Sequence, residues 1–259
     1  MIALKSRREI DILRENGHLL GEVLDELCAE AGDGRTTAEL DRLAERRIRA
    51  AGGEPAFPKF AGFPGTINAS LNDEIVHGVP SDERTLRTGD VFSIDIGLVR
   101  DGFCADMATT IPIGDVPEET RKLLDVGEKS LWKGIEQVRI GNRLSDVSHA
   151  VGSFVEEAGF YVVREYVGHG IGRALHEDPQ IPNYGPPGRG VRLRPGMVFA
   201  IEPMVKTDDL PTRVADDRWT VLTASGGLSV HFEHTVALTE EGLEVLTSKE
   251  VRPGARGDR

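Results

Sequence analysis

LRTGDVFSID occupies residues 86–95 and LRPGMVFAIE occupies residues 193–202. The two stretches align without a gap at an offset of 107 (193 less 86), pairing Leu86 with Leu193, Gly89 with Gly196, Phe92 with Phe199 and Asp95 with Glu202. The same offset lays Gly34 on Gly141 and Ala51-Gly52 on Ala158-Gly159. Three separate anchors with one offset imply a duplication, and each half runs through the same order of patterns. Ile10, Leu13, Leu20, Leu24 and Leu27 recur at helical spacing, followed by Thr36-Thr37-Ala38-Glu39, a capping box that opens a second helix with Leu40, Leu43 and Ile48 on one face. Leu123, Leu124, Leu131 and Ile135, then Leu144, Val147, Val151 and Phe154, answer them in the second half. Strand-like runs follow the helices in both halves, and turn residues at 63–65, 79–82 and 182–190 separate the elements.

The expected fold class is therefore α/β (α+β), a single domain over 1–259 built of halves at about 1–115 and 116–250 with a short tail at 251–259. The strands of both halves join one sheet about a pseudo-two-fold axis. If that axis passes near the ends of the two repeated strands, Asp95 and Glu202 meet. Two carboxylates held together repel, and one pKa climbs unless a cation sits between them.

The rest of the composition narrows the chemistry. The chain has 39% hydrophobic and 29% charged residues, with no apolar run of the roughly 20 residues a membrane span needs. A net charge of −12 disfavours nucleic-acid binding. The basic group Lys5, Arg7 and Arg8 and the tail VRPGARGDR read as solvated termini, with the Arg-Gly-Asp triplet incidental. MIALKSRREIDILRENG lacks the uninterrupted apolar segment of an export signal, and two cysteines make no disulfide framework, so a cytoplasmic location is expected.

More acids interrupt apolar strands. Asp106 follows Asp95 by eleven residues, with Arg100-Asp101-Gly102 reading as the turn between them. A tip at Arg100-Asp101 puts the two aspartates directly opposite each other, whereas a tip at Asp101-Gly102 shifts that register. Glu202 in MVFAIEPMV and Glu233 in LSVHFEHTVAL also sit where a lone buried carboxylate is costly. Four such acids would balance two divalent cations, leaving a bridging hydroxide as the extra charge. His169 and His176 lie in YVGHGIGRALHEDP, where glycines let backbone approach a ligand but do not spell a dinucleotide fingerprint. His77, in NDEIVHGVP, reads on its own as a structural histidine. His231 shares a strand face with Glu233 and reads as an outer partner of the site, while His234 points the other way.

The two aspartates eleven apart, the Y-V-G-H-G-I-G-x-x-x-H run continuing to Ile181-Pro-Asn-Tyr184, the A-I-E-P strand and the final H-F-E-H-T together resemble the type I methionine aminopeptidases, over nearly the whole chain. That family has the duplicated pita-bread fold, a curved, mainly antiparallel sheet covered by helices. The resemblance implies metal ligands Asp95, Asp106, His169, Glu202 and Glu233, and places His77 and His176 at its two non-ligand active-site histidines. It implies that Phe60, Phe63 and Trp219 surround a methionine side chain, and that Asn68 and Val76 stand in the pocket where relatives often carry cysteine. The activity implied is removal of the initiator methionine of nascent chains before a small second residue. Two divalent metal ions would serve it, cobalt, manganese or iron(II), with zinc a further candidate. Glu202 would act as general base, His176 would steady the carbonyl oxygen and His77 would contact the scissile amide. A cytoplasmic monomer that meets the ribosome transiently is also implied. The competing expectations are a peptidase acting at Xaa-Pro bonds, whose relatives carry an added N-terminal domain, and a non-catalytic peptide-binding protein of the same fold, which would have lost ligands.

Overall fold

The structure is a computed structural model and describes residues 2–248; the expected tail at 251–259 lies outside the described residues. The chain opens with α1 (Arg7–Glu30) and α2 (Thr37–Ala50), each begun by a capping box, Ser6 with Glu9 and Thr36 with Glu39. Then come β1 (Glu54–Pro55), α3 (Ala56–Phe60), β2 (Ile67–Leu71), β3 (Glu74–Val76) and a long hairpin of β4 (Val91–Arg100) and β5 (Phe103–Pro112). The second half comprises α4 (Glu118–Ile135), α5 (Leu144–Glu157), β6 (Tyr161–Val162), β7 (Gly168–Gly170), β8 (Glu177–Ile181), β9 (Val198–Ile201), β10 (Met204–Lys206), β11 (Thr212–Val214), β12 (Val221–Thr223), β13 (Ser229–His231), β14 (Glu233–Thr239) and β15 (Gly242–Val245).

The duplication is visible residue for residue. At the 107-residue offset α5 begins and ends on α2, β6 falls on β1, and β9 begins where β4 does. The bridge Thr36↔Thr85 recurs as Arg143↔Arg192, and Gly89 and Gly196 hold φ of 100° and 91° at the same turn, a region in which glycine carries no Cβ penalty. Each half has its own core. Leu24, Leu40, Ile48, Phe92 and Ile94 pack together in the first, and Leu131, Val147, Val151, Phe199 and Ile201 in the second. Phe92 and Phe199 are 0% and 1% exposed, and burying such a side chain contributes about 1.5–3 kcal/mol.

Nine strands form one antiparallel sheet in the order β1-β4-β5-β14-β9-β7-β8, with β2 added to β4 and β15 to β14. Strand alternation sends Phe92, Ile94 and Ile96 toward the helices and Ser93, Asp95 and Gly97 to the other face.

The halves differ in one place that matters. β4 runs unbroken for ten residues, whereas its counterpart is cut at Glu202-Pro203 into β9 and β10. Proline has no N–H for the ladder, so the strand cannot continue through Pro203. Beyond the break Met204↔His231 matches Gly97↔Asp106, so the offset there is 125 (231 less 106) and 18 residues more than 107 have been inserted. That insertion carries the β11–β12 hairpin, which pairs with β3.

One alternative is decided and one expectation needs correction. The β4–β5 turn is Asp101-Gly102, with φ of 52° and 77°, as a two-residue primed turn demands. Asp95 therefore opposes Ala108, and Asp106 opposes Gly97, so the aspartates are diagonal neighbours on one face. Lys5 is not solvated: its side chain is 5% exposed and paired with Glu177. Among the described residues no helix is long and apolar enough to cross a membrane.

Candidate metal centre

Register alone brings the acids together. Asn68 opposes Asp95, Asp95 opposes Ala108, and Ala108 opposes Glu233 on the next strand, so four strands place these residues in one row. Continuing the pairing His234↔Ile201 by one step sets Glu202, at the break after β9, against Glu233. His169 opposes Ala200, two residues before Glu202 and on its face. The positions between the acids are Gly97, Ala108 and Ala200, whose small side chains leave space above the sheet.

Donor atoms of Asp106, His169 and Glu233 all lie within 4.8 Å of one another. His169 Nε2 is 3.3 Å from Glu202 Oε1 and 3.8 Å from Asp106 Oδ2. The Nδ1–H of His169 donates to the carbonyl of Gly170 at 3.0 Å, which leaves the Nε2 lone pair facing the acids. Asp95 Oδ1, Asp106 Oδ1 and Glu233 Oε1 are buried with no hydrogen-bond partner, whereas Asp95 Oδ2 accepts from the Asn68 amide at 2.5 Å. Four acids, a neutral imidazole and orphaned oxygens fit divalent cations of oxygen-preferring type.

The electrostatics say the same. Burial lifts the Asp95 carboxyl to about 7 against the opposing pull of Asn68. Burial first, then the charges of Asp95 and Glu202, hold Asp106 well above the carboxylate range, and Glu202 and Glu233 are raised for like reasons. Burial depresses His169 to about 4 and His231 to about 3, so both are neutral at pH 7.

Above this floor lies a cavity of about 220 Å³ whose walls include all five of these side chains with His77, His176, Asn68, Val76, Phe63 and Trp219. The His176 ring stands 4.4 Å from that of His169 at 66°, and Trp219, supplied by the insertion, meets Phe63 edge-on at 5.3 Å. His77 has φ of 61°, rare for a residue with a Cβ, and stacks edge-on against Tyr166. Phe60 stands apart: it is 41% exposed at the end of α3, and Phe57 supplies the aromatic wall in its place. A larger groove of about 790 Å³ between α1 and α4 lies on the helix-covered side and contains none of these groups.

Several contributors carry no sequence signal. Met204 and Tyr166 line the cavity. The Thr235 hydroxyl donates to the Asp106 carbonyl at 2.7 Å, and the Asn183 amide donates to the Glu202 carbonyl at 3.0 Å, fixing the backbone that presents two acids. His231, by contrast, is readable from its strand face as an outer partner, and it is 2% exposed with Nε2 3.7 Å from Glu202 Oε2.

A curled antiparallel sheet with an acid-rich centre of this kind defines a class, and residues 11–240 match the model of metallopeptidase family M24, to which the chain belongs. Within that class it falls among the methionine aminopeptidases. It is 49% identical over 247 residues to methionine aminopeptidase 1 of Bacillus subtilis, covering 95% of this chain and 99% of the relative. The crystal structure of methionine aminopeptidase from Thermotoga maritima superposes with a TM-score of 0.94 at 41% identity, covering 96% of this chain and 100% of that one. The pita-bread fold is thereby established. The prolidase of Pyrococcus horikoshii, at 23% identity and a TM-score of 0.77, shares the fold, and the match spans 64% of its length.

Proposed function

We propose that this chain removes the N-terminal methionine of newly made polypeptides whose second residue is small, using two divalent cations held by Asp95, Asp106, His169, Glu202 and Glu233. The observation that carries this is the set of orphaned carboxylate oxygens gathered around His169 on the floor of a small, aromatic-walled cavity. Such cations, when bound, supply Lewis-acid polarisation and a nucleophile from water near neutral pH. Glu202, whose side chain is 14% open to the cavity, takes a proton from the attacking water and returns it to the departing amine. Neutral His176, its pKa lowered by packing, offers a ring N–H to the carbonyl oxygen as negative charge develops. His77, also neutral, contacts the scissile amide from a fixed backbone. Phe57, Phe63, Trp219 and Met204 enclose a flexible, polarizable thioether. About 220 Å³ is below the roughly 300–1,000 Å³ of drug-sized pockets and suits one side chain.

Manganese, iron(II) or cobalt suits this oxygen-rich set, with zinc a further candidate. The substrate implies a cytoplasmic setting and a brief meeting with the ribosome, and the protein works as a monomer. The test is methionine release from Met-Gly-type, Met-Leu-type and Xaa-Pro peptides with added manganese or cobalt, alongside elemental analysis of anaerobically purified protein. Release from Met-Gly with little from the others is expected. Equal turnover of the two methionyl peptides, or cleavage at Xaa-Pro alone, would overturn it.

A further inference from the structure

Lys5 belongs to no part of the site described above, yet it is nearly as buried as the acids. Its Nζ donates to Glu177 Oε2 at 2.5 Å and to the Ala3 carbonyl at 3.2 Å. The other oxygen of that carboxylate, Glu177 Oε1, accepts the backbone N–H groups of Arg173 at 2.8 Å and Ala174 at 3.3 Å. One carboxylate thus joins the start of the chain to the turn at 172–174. The pair crosses directly over Gly172, where a Cβ would lie 2.3 Å from Lys5 Cε and 2.7 Å from Glu177 Oε1. Any larger residue there would force the two groups apart.

The same turn is held from other sides. The Gly172 carbonyl accepts from Cys104 N–H at 2.7 Å, and the Arg173 guanidinium lies 4.4 Å from the centre of the Phe103 ring and reaches Glu9 at 3.1 Å. Lys5 N–H itself donates to the Gly196 carbonyl at 2.7 Å, anchoring the strap at the turn before β9. What this loop carries is His176, the residue immediately before Glu177, whose ring faces the cavity beside His169. The direction of that ring is set by the loop backbone.

We propose that Lys5 is a positioning residue of the active centre: through Glu177 it fixes the loop 171–176 so that His176 meets the reacting carbonyl. This rests on the aminopeptidase reading given above. A displacement of about 1 Å in such a group can cost 10²-fold in rate, so loosening the strap acts on turnover and not on substrate binding.

The experiment compares Lys5→Met, which keeps the length and removes the charge, with Lys5→Arg, each with His176 present and in a His176→Ala background, on a Met-Gly-type peptide with manganese. Lys5→Met is expected to lower kcat about tenfold or more with KM changed less than about twofold, and Lys5→Arg to recover most of the loss. In the His176→Ala background the effect of Lys5→Met should shrink to below about threefold, because both changes act through one group. Hydrogen exchange should accelerate at Arg173 and Ala174 N–H in Lys5→Met. Should that variant fail to fold with Glu177 left unpaired, Lys5→Met/Glu177→Leu removes both charges and is expected to fold with the same low kcat. An equal loss with and without His176, or unchanged kcat with His176 present in Lys5→Met or in Lys5→Met/Glu177→Leu, overturns the proposal. A wild-type protein that releases no methionine from any peptide overturns the reading beneath it, and the exchange rates at Arg173 and Ala174 then still report whether the strap holds.

Discussion

Replacing Asp106 by asparagine should abolish activity and at the same time make the metal-free protein more stable. The side chain keeps its shape and an accepting oxygen, and Asp106 Oδ1 has no hydrogen-bond partner to lose. What disappears is one buried charge. Asp106 and Glu233 present donor atoms within 4.8 Å of each other, and two ionised carboxylates at that distance repel by about 3.5 kcal/mol at an effective dielectric constant of 20. The folded protein can escape by keeping Asp106 protonated, which costs about 1.4 kcal/mol for each pH unit above the ordinary value of 3.8. At pH 5 that escape costs about 1.6 kcal/mol and at pH 7 about 4.4 kcal/mol; burial and the charges of Asp95 and Glu202 add to the repulsion from Glu233, so proton retention sets the penalty at pH 5 and the penalty at pH 7 lies between about 3.5 and 4.4 kcal/mol.

The sign follows from linkage. Asp106 has its folded pKa raised, so between 3.8 and the folded value the native state holds a proton that the unfolded chain has released, and stability falls as pH rises. Asparagine does not titrate. After chelation, the variant should exceed wild type by up to about 1.6 kcal/mol at pH 5 and about 3.5–4.4 kcal/mol at pH 7, measured by urea or thermal unfolding at both pH values. Manganese at about 100 times its Kd should stabilise wild type by about 2.7 kcal/mol and the variant far less. A metal-free variant less stable than wild type at pH 7, or a gain larger at pH 5 than at pH 7, would refute the reasoning.

Other consequences are open to simple assays. Asn68→Ala removes the amide that holds Asp95 Oδ2, and metal affinity by calorimetry should fall about 10–100-fold. Trp219→Ala removes the edge-on partner of Phe63, and should raise KM for methionyl peptides about tenfold or more, with thermal stability lowered less than by Phe63→Ala, whose 3% exposed ring leaves a cavity costing about 3–5 kcal/mol. His176→Ala should lower kcat by about 10²–10³ with bound metal unchanged in elemental analysis.

How far the sequence could be read depended on whether a residue's destination is local. Helix periodicity, the capping box at Thr36–Glu39 and the 107-residue repeat are marks carried by the order of residues alone, and they located α1, α2, α4, α5 and the strands beginning at Val91 and Val198. Asp95 and Glu202 were legible because the repeat itself pairs them. Phe57 and Phe60 were not distinguishable: α3 has five residues, too few for a periodicity to say which ring faces inward. Lys5 read as a solvated charge because its partner stands 172 residues away. The diagonal placement of Asp95 and Asp106 turned on one residue in the hairpin tip, and a slip of that size reassigns every pair in a ladder. Asn183 and Thr235 bind backbone carbonyls, a use that polar residues serve anywhere in a chain.

The departures from symmetry are what make the centre asymmetric in chemistry. By register the counterpart of Asp106 is His231 and the counterpart of Glu233 is Ala108, so of the four acids only Asp95 and Glu202 are related by the repeat. A strictly doubled site would face Asp106 with a second acid at position 231. The chain has a neutral imidazole there, 3.7 Å from Glu202 Oε2, which adds no negative charge beside the one acid assigned to move protons. The break at Pro203 frees Glu202 from the ladder that holds Asp95, leaving its side chain 14% exposed to the cavity. The 18 inserted residues then bring Trp219 over one side only. The duplicated strands thus form the floor, and the departures from symmetry give one acid access to solvent and one wall a ring.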